Sequence, residues 1–404
     1  MEEKSPVYLV MVTTNNNNKY YRMIPHGDTF EVEYGRVGAS CQHASYSMSQ
    51  WNKKYNEKIK KGYVDQTHLV QDLIQKEKSK GKDGYKEIEN KVIAEIVQRL
   101  QDMAHQKIQA NYKVSSQQVT QAMVDEAQKV IDKLMQREEV EDFNNTLLEL
   151  FSVIPRKMGN VNDYLSRSKE DFARILKDEQ DLLDVMRGQV VTHTVQDEPD
   201  TDDVEEKQET ILEAMGLEFE ETTEEDVRMI KSLLGDCRDK FYRAWRVKNI
   251  KTQKRFDEFV NKEHISKTKL LWHGSRNENW WSIINTGLVL RPTNAVITGK
   301  MFGYGIYYAP KARKSLGYTS ISGSYWARGN SSSAFMALMD VAYGKPYDVH
   351  SFDSKYYDFN YERLQKTCPG ANCLHAHAGS MLRNDEIIVY KEDQCTIKYL
   401  VELR

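Results

Sequence analysis

The spacing of apolar residues changes twice along this chain of 404 residues, and those changes decide how it can fold. Residues 5–62 contain short β-rich runs followed by one helix. In residues 86–188 the apolar residues recur with a helical period, and residues 226–404 return to short apolar runs between glycine-containing turns. A period near two is typical of strands and a period near 3.6 of helices. The sequence therefore predicts an α+β multidomain protein with a small antiparallel-sheet domain, an all-α helical bundle, and a mixed or antiparallel β-sheet domain.

Two polar segments separate these regions. The first contains KEKSKGKDG and the second the acidic run DEPDTDDVEEKQE, and neither has a hydrophobic period. Such compositions are typical of exposed linkers. We therefore predict domains at 1–80, 81–195 and 226–404, with an acidic linker at 196–225.

Capping residues predict where two helices begin and end. Thr223 followed by Asp226 is a capping pair, which predicts a helix at roughly 224–247. Gly188 predicts the end of the helix that begins near Ser168, since glycine commonly terminates helices.

Composition restricts the class of protein. The net charge of −3 conceals an acidic middle and a basic C-terminal block. The basic block suits an anionic ligand such as a dinucleotide, and the acidic segment is either a solvated surface or a shield for that site. No run approaches the ~20 apolar residues that span a bilayer, and the five scattered cysteines indicate a reduced protein. We expect an intracellular protein, nuclear in a eukaryote and in the cytoplasm or nucleoid of a bacterium.

Three motifs in residues 226–404 concentrate groups that bind and react. LLWHGSR (270–276) ends a predicted strand in a histidine, a glycine and a serine. GKMFGYGIYYAPKARKSLGYTS (299–320) combines glycines, tyrosines and a Lys-Ser pair, and NDEIIVY places Glu386 at the start of a strand. No GxGxxG follows a strand and no GxxxxGK[ST] is present, which excludes Rossmann and P-loop sites.

In this order and spacing the three motifs resemble the catalytic domain of the poly(ADP-ribose) polymerases, with its His–Tyr–Glu triad. FEVEYGRVG and the lysine-bearing helix after it resemble the WGR domain of the DNA-dependent members. LFSVIPRKMG (150–159) resembles the helical regulatory domain of the family. The resemblance implies an NAD-dependent ADP-ribosyltransferase that releases nicotinamide, is stimulated by DNA strand breaks, and modifies itself and other proteins.

The resemblance also assigns roles around the nicotinamide half of NAD. Gly274 would pair its backbone with the carboxamide, and Ser315 would add a hydroxyl to the same amide. Tyr307 and Tyr318 would hold the nicotinamide ring between them. His273 would bind the riboses and orient this half of the dinucleotide.

The remaining roles concern the adenosine side and the reaction. Ser275 would contact the adenosine ribose. Glu386 would accept a hydrogen bond from the nicotinamide-ribose 2′-hydroxyl and polarise the acceptor, with Lys314 as a helper. Breaking the nicotinamide–ribose bond generates oxocarbenium character, which a nearby carboxylate stabilises. This chemistry requires neither a metal nor a covalent enzyme nucleophile.

The N-terminal motif differs from the family pattern in reading Tyr34-Gly35-Arg36 instead of Trp-Gly-Arg. Tyrosine still offers a flat ring for stacking on a nucleotide, and Arg36 still offers a guanidinium for a phosphate. We therefore expect these residues to contact DNA ends, with packing of Tyr34 against a neighbouring domain as the alternative.

The segment between Gly344 and Glu386 occupies the position of the family's acceptor loop but does not match it. It contains Cys368, Cys373, His375 and His377, spaced C-x4-C-x-H-x-H. This spacing fits none of the usual zinc fingers, so no structural metal is predicted and a zinc site at these four residues is only the alternative.

Three functional hypotheses follow. The first is a DNA-break-responsive ADP-ribosyltransferase restrained by its helical bundle. The second is an enzyme that attaches single ADP-ribose units or modifies nucleic-acid ends. The third, from another class, is a DNA-end scaffold with a silent catalytic domain.

Overall fold

The computed structural model describes residues 4–70, 85–111, 119–196, 209–290, 300–324, 327–380 and 382–404. The KEKSKGKDG linker, all but the last residue of the acidic run, and Gly299 lie outside these described residues. The chain divides into two compact units, one formed by Met1–Lys82 with His105–Val190 and the other by Asp83–Ala104 with Val191–Arg404.

The first unit begins with an antiparallel sheet of five strands. Its elements are β1 (Val7–Thr13), β2 (Asn17–His26), β3 (Thr29–Arg36), β4 (Gln42–Ser47), α1 (Trp51–Lys60) and β5 (Val64–Asp65). The strands lie in the order β4-β3-β2-β1-β5. Trp51 of α1 packs edge-on against Phe30 of β3 with 5.0 Å between ring centroids, and both side chains are buried. The helix therefore covers one apolar face of the sheet.

Helices follow the sheet. They are α2 (Lys91–Asn111), α3 (Gln121–Leu134), α4 (Val140–Val153) and α5 (Phe172–Gln196). The stripe of α3 that contains Met123, Ala127 and Val130 is buried, as its period predicts. The predicted end of α5 at Gly188 is wrong, because the helix continues through this glycine to Gln196. A glycine inside a helix costs only ~1 kcal/mol, which the neighbouring buried residues Val185 and Met186 offset.

The second unit contains two sheets. Its strands are β6 (Leu217–Glu221), β7 (Phe241–Asn249), β8 (Lys269–Gly274), β9 (Ile306–Tyr308), β10 (Ala334–Val341), β11 (Pro346–Val349), β12 (Cys373–Ala376), β13 (Glu386–Val389) and β14 (Cys395–Leu403). Their orders are β6-β7-β14-β10-β8 and β11-β12-β13-β9. Only β11 and β12 pair in parallel among these strands, so this unit has the mixed sheet that was predicted. The α+β multidomain class is confirmed.

Short helices surround these sheets. They are α6 (Ile211–Met215), α7 (Glu224–Leu234), α8 (Ile250–Lys262), α9 (Trp280–Thr286), α10 (Ala312–Leu316) and α11 (Tyr361–Thr367). The capping box of Thr223 and Asp226 is present at the start of α7. The predicted extension of this helix to residue 247 is wrong, since α7 ends at Leu234 before Gly235, whose φ is +55°. Residues 241–249 form β7 instead, because they hydrogen-bond to β14 and β6 on either side.

One boundary between the two units falls within α2, after Ala104, and another falls within α5, after Val190. Arg99 of this helix forms two hydrogen bonds of 3.0 and 3.1 Å to the carboxylate of Glu402 on β14, and Glu402 is fully buried. The first turns of α2 therefore belong with the second unit, whereas the domain limits predicted at 81 and 195 place all of α2 in the helical bundle. Among the described residues, no helix is both long and apolar enough to cross a lipid bilayer.

Candidate active site

His273 is the next-to-last residue of β8, which forms one edge of the larger sheet of the second unit. Its Nδ1 lies 3.1 Å from the carbonyl oxygen of Tyr307. A carbonyl only accepts hydrogen bonds, so Nδ1 carries the proton and Nε2 keeps a lone pair. Burial lowers the pKa of His273 to about 4, against its ordinary value of 6.5. The ring is therefore neutral at physiological pH, and Nε2 is able to accept a hydrogen bond.

Gly274 follows at a point where no side chain fits. A Cβ at this position would overlap the carbonyl oxygen of Ser315 on α10. The Ser315 side chain is buried, and its hydroxyl donates to the carbonyl oxygen of Trp272 at 3.0 Å. The Ser315 oxygen keeps lone pairs that accept from an amide N–H. The absence of a side chain on Gly274 allows the backbone of Ser315 to pack directly against the end of β8.

Tyr307 lies on β9 with its ring fixed by two backbone hydrogen bonds. Its hydroxyl donates to the carbonyl oxygen of Gly303 and accepts from the amide of Phe302, both at 3.1 Å. Tyr318 follows α10 and is 37% exposed, which makes it one of the few large aromatic side chains of this unit open to solvent. Burial raises the pKa of both phenols, so both rings are neutral. Each therefore offers an uncharged face to a flat cationic ring.

Glu386 begins β13 and forms an ion pair with Lys314 at 2.6 Å between Nζ and Oε1. The pair is largely shielded, since the two side chains are 10% and 17% exposed respectively. Burial lowers the pKa of Lys314 but the carboxylate of Glu386 outweighs it, so the net shift is upward. Lys314 therefore remains charged and fixes one carboxylate oxygen, which leaves Oε2 to bind a ligand.

Strand register brings Glu386 and Tyr307 to one face of the smaller sheet. Tyr307 lies directly opposite Ile388 in the antiparallel pair of β9 and β13. Residues opposite each other share a face, and so do residues two apart on one strand. Glu386 therefore shares a face with Tyr307, while the backbone of Tyr307 accepts from His273. The structure thus relates Tyr307 to each of the other two residues of the predicted triad.

Ser275, the residue expected to contact the adenosine ribose, lies just beyond β8. Its hydroxyl oxygen accepts a hydrogen bond of 3.0 Å from the Asn279 side chain. Because that bond uses only a lone pair, the hydroxyl hydrogen is available to a sugar oxygen. The structure thus places Ser275 beside Gly274, and its role stays a prediction.

The four residues considered as a zinc finger do not converge. The thiol of Cys373 is buried and donates to the carbonyl oxygen of Tyr343 at 3.2 Å. Burial raises the pKa of Cys373 to about 12, which disfavours the thiolate that binds zinc. Cys368 packs at the margin of the apolar cluster of the smaller sheet. His375 and His377 instead lie beside Asp348, within 4.8 Å between their possible ligand atoms.

Neither Asp348 nor Asp385, which contacts His375 at 3.0 Å, was predicted from the sequence. The alternation of His375 and His377 is a signal that both imidazoles face one way on a strand. The contribution of Asp348 depends on the parallel pairing of β11 with β12, which opposes Asp348 to His375 and cannot be read from the local sequence.

The residues expected to contact DNA end strand β3 of the first unit. The guanidinium of Arg36 donates to the carbonyl oxygens of Asn16, Met158 and Gly159 at 2.8–3.0 Å. Tyr34 lies 5.9 Å from Tyr21 between ring centroids and is only half-buried. Arg36 thus already has hydrogen-bond acceptors within its own unit, and a phosphate at this guanidinium would have to replace them.

Comparison with known families agrees with this architecture. Residues 224–404 match the family model described as the poly(ADP-ribose) polymerase catalytic domain, and residues 5–70 match the WGR domain. The tyrosine at the first position of the Trp-Gly-Arg motif therefore does not prevent the match. The segment between the two matches contains the helices α2 to α5.

Comparison with individual proteins points the same way. The chain is 36% identical over 186 residues to the uncharacterized protein 101L of Invertebrate iridescent virus 6, with 45% of this chain and 76% of that protein covered. It is 31% identical over 190 residues to the putative poly [ADP-ribose] polymerase-like 100L of the same virus, which covers 46% of this chain and 97% of that protein. It is 25% identical over 292 residues to poly [ADP-ribose] polymerase 2-A of Oryza sativa subsp. japonica, covering 63% of this chain and 42% of that protein.

Proposed function

We propose that this chain modifies itself and other proteins in response to DNA strand ends. The chain belongs to the poly(ADP-ribose) polymerase family and is an NAD-dependent ADP-ribosyltransferase. The observation that carries the proposal is the shielded Glu386–Lys314 pair on the same sheet face as Tyr307, next to the neutral ring of His273. This arrangement supplies a fixed carboxylate beside a site for a flat leaving group.

The first step of the reaction is binding of the nicotinamide half of NAD. The backbone of Gly274 and the lone pairs of the Ser315 hydroxyl pair with the carboxamide. Tyr307 and Tyr318 contact the two faces of the pyridinium ring. Fixing the leaving group in this way aligns the bond that breaks, which lowers the entropic part of the barrier.

The second step is cleavage of the bond between nicotinamide and ribose. The carboxylate of Glu386 stabilises the oxocarbenium character that develops on the sugar and accepts a hydrogen bond from its 2′-hydroxyl. His273 accepts from a ribose hydroxyl through Nε2. The electron pair of the broken bond leaves with nicotinamide, and Glu386 polarises the incoming acceptor.

The regulatory part of the proposal concerns the first unit. A DNA phosphate at Arg36 would compete with the carbonyl oxygens of Met158 and Gly159, which precede α5 in the helical segment. Losing those contacts would lower the stability of that segment, so DNA binding and loosening of the helices are coupled through a local unfolding equilibrium.

The test is incubation of the purified chain with labelled NAD, with and without blunt or nicked DNA. A DNA-dependent ladder of label on the chain is expected. A single labelled band would favour transfer of single ADP-ribose units, and label on the DNA would favour modification of nucleic-acid ends. Absence of any product under every DNA condition would contradict the proposal and favour the silent scaffold.

Arg36→Gln provides the matched test of the DNA step. It should reduce stimulation by DNA while leaving transfer without DNA intact or increased. Lys129→Gln, which removes one exposed charge from α3 of the same unit, serves as control. Equal stimulation in Arg36→Gln and in the control would contradict a role of Arg36 in DNA recognition.

The intracellular location stays a prediction.

A further inference from the structure

A second group of reactive side chains lies on the smaller sheet of the second unit, separate from the residues assigned to NAD. It contains His375 of β12, His377 just beyond it, Asp348 of β11, and Asp385, which directly precedes Glu386. The two imidazole rings are stacked with 3.9 Å between centroids. A carboxylate lies at each edge of this stack, so the group combines the nitrogen and oxygen ligands that borderline divalent metal ions prefer.

The edge formed by Asp348 has the geometry of a three-ligand site. Oδ1 of Asp348 lies 2.7 Å from Nε2 of His377 and 3.9 Å from Nδ1 of His375. Tetrahedral ligands at ~2.0–2.1 Å from Zn²⁺ stand about 3.4 Å apart. The two separations lie on either side of that value, and the three possible ligand atoms all lie within 4.8 Å of one another. Adjustments on the order of 1 Å would therefore place all three atoms around one ion.

Asp385 orients His375 from the other edge. Its Oδ2 accepts from Nε2 of His375 at 3.0 Å, and its Oδ1 accepts from the backbone amide of Ala378 at 2.8 Å. Because the Nε2 of His375 carries the proton, its Nδ1 has the lone pair that a metal requires. A carboxylate that accepts from the outer N–H of a histidine ligand is the usual support of protein metal sites.

Two further features concern the access of an ion to the group. The hydroxyl of Tyr343 lies 2.9 Å from Nδ1 of His375 and is the group that an ion must displace. Asp348 is 49% and His377 27% exposed, which gives an ion access from solvent.

We propose that Asp348, His375 and His377 bind a divalent transition-metal ion such as Zn²⁺, with Asp385 as the positioning residue for His375. Binding moves the proton of His377 from Nε2 to Nδ1, near Oδ2 of Asp385, which lies 3.9 Å away. The ion would connect β11 to the segment that leads into β13. Because Asp385 is the neighbour of Glu386 in sequence, the ion would also restrain the start of the strand that carries the proposed catalytic carboxylate.

The test is metal binding by the purified full chain, measured without NAD. The chain is stripped with a chelator, equilibrated with Zn²⁺ or Co²⁺, and analysed for metal content and for the visible absorption of tetrahedral Co²⁺. We expect about one equivalent bound at this site. His377→Gln and Asp348→Asn should remove it, and Asp385→Asn should weaken binding about 10–100-fold.

His43→Gln is the matched control. Glu33, Cys41 and His43 form another group of possible ligands, on strands β3 and β4 and on the segment between them, with ligand atoms within 4.8 Å of one another. Loss of the Co²⁺ spectrum in His377→Gln but not in His43→Gln supports the proposal. Absence of binding by the wild-type chain, or an unchanged spectrum in both His377→Gln and Asp348→Asn, overturns it. Neither outcome bears on ADP-ribose transfer, which is measured separately.

Discussion

Removing the Arg99 guanidinium should destabilise the second unit, because it would leave a fully buried carboxylate without its main partner. Both terminal nitrogens of Arg99 on α2 donate to the Glu402 carboxylate on β14, at 3.0 and 3.1 Å. Arg99 also lies over the Phe335 ring at 5.5 Å from its centroid. The change Arg99→Met keeps an unbranched side chain of similar length and removes the charge, the hydrogen bonds and the cation–π contact with Phe335.

The magnitude follows from burial. Breaking a buried ion pair by removing one partner costs about 3–5 kcal/mol, since the remaining charge is uncompensated. Arg99 is 35% exposed, and Arg404 also lies 3.4 Å from Glu402, so the lower end applies. A loss of about 3 kcal/mol corresponds to a decrease in Tm of about 6–12 °C for a unit of this size.

The assay is differential scanning calorimetry of the full chain, with NAD binding measured on the same samples. The matched control is Lys248→Met, which breaks an exposed pair with Glu218 in the same unit and should cost no more than about 1 kcal/mol. The double variant Arg99→Met/Glu402→Leu should recover most of the lost stability. A decrease in Tm below about 2 °C in Arg99→Met, or no recovery in the double variant, would refute this reasoning.

Three further predictions concern the pH response, the NAD site and the helices. Because burial lowers the pKa of His273 to about 4, the unfolded chain binds a proton between pH 6.5 and 4 that the folded chain does not, and stability falls as pH decreases through this window. His273→Gln should remove up to about 3 kcal/mol of that pH dependence, measured as the difference in unfolding free energy between pH 7 and pH 4. An equal change of unfolding free energy with pH in the variant and in the wild type would contradict it. Gly274→Ala should raise the KM for NAD because the added Cβ meets the backbone of Ser315 and would displace this residue from the end of β8. An unchanged KM would argue against a role of Ser315 in binding NAD. Arg156→Leu removes the guanidinium that Glu179 contacts at 2.6 and 3.0 Å and leaves this carboxylate buried, so it should loosen the helices and raise DNA-independent transfer. The double variant Arg156→Leu/Glu179→Leu should not raise it. Equal rates in the two variants would count against restraint by the helices.

Motifs with a local period were sufficient to predict the class of fold and the elements that carry the site. The resemblance of the three motifs, in their order, to the catalytic domain of the family implied that His273, Tyr307 and Glu386 would meet. In the structure His273 contacts the backbone of Tyr307, and Tyr307 shares a sheet face with Glu386. Helix limits were predicted less well. At Gly188 the buried neighbours outweigh the low helix propensity of glycine, and after Leu234 the pairing of β7 with two strands outweighs the helical pattern.

Interactions between residues far apart in sequence could not be predicted. Arg99 and Glu402 are 303 positions apart, and nothing in either local sequence indicates the other. Asp348 joins the two histidines only because β11 pairs with β12 in parallel. Such contacts depend on tertiary topology, which a single sequence without a repeat does not specify.

The most direct test of the central claim is to compare NAD binding with ADP-ribose transfer in Glu386→Gln. The amide can still accept from Lys314 but carries no charge to stabilise the developing cation. We predict that NAD binds within about threefold of wild type while nicotinamide release and transfer fall by about 10²–10³-fold. Glu362→Gln, which changes an exposed carboxylate on α11, should behave as wild type. Transfer by Glu386→Gln at the wild-type rate would contradict the assignment of this carboxylate to the reaction.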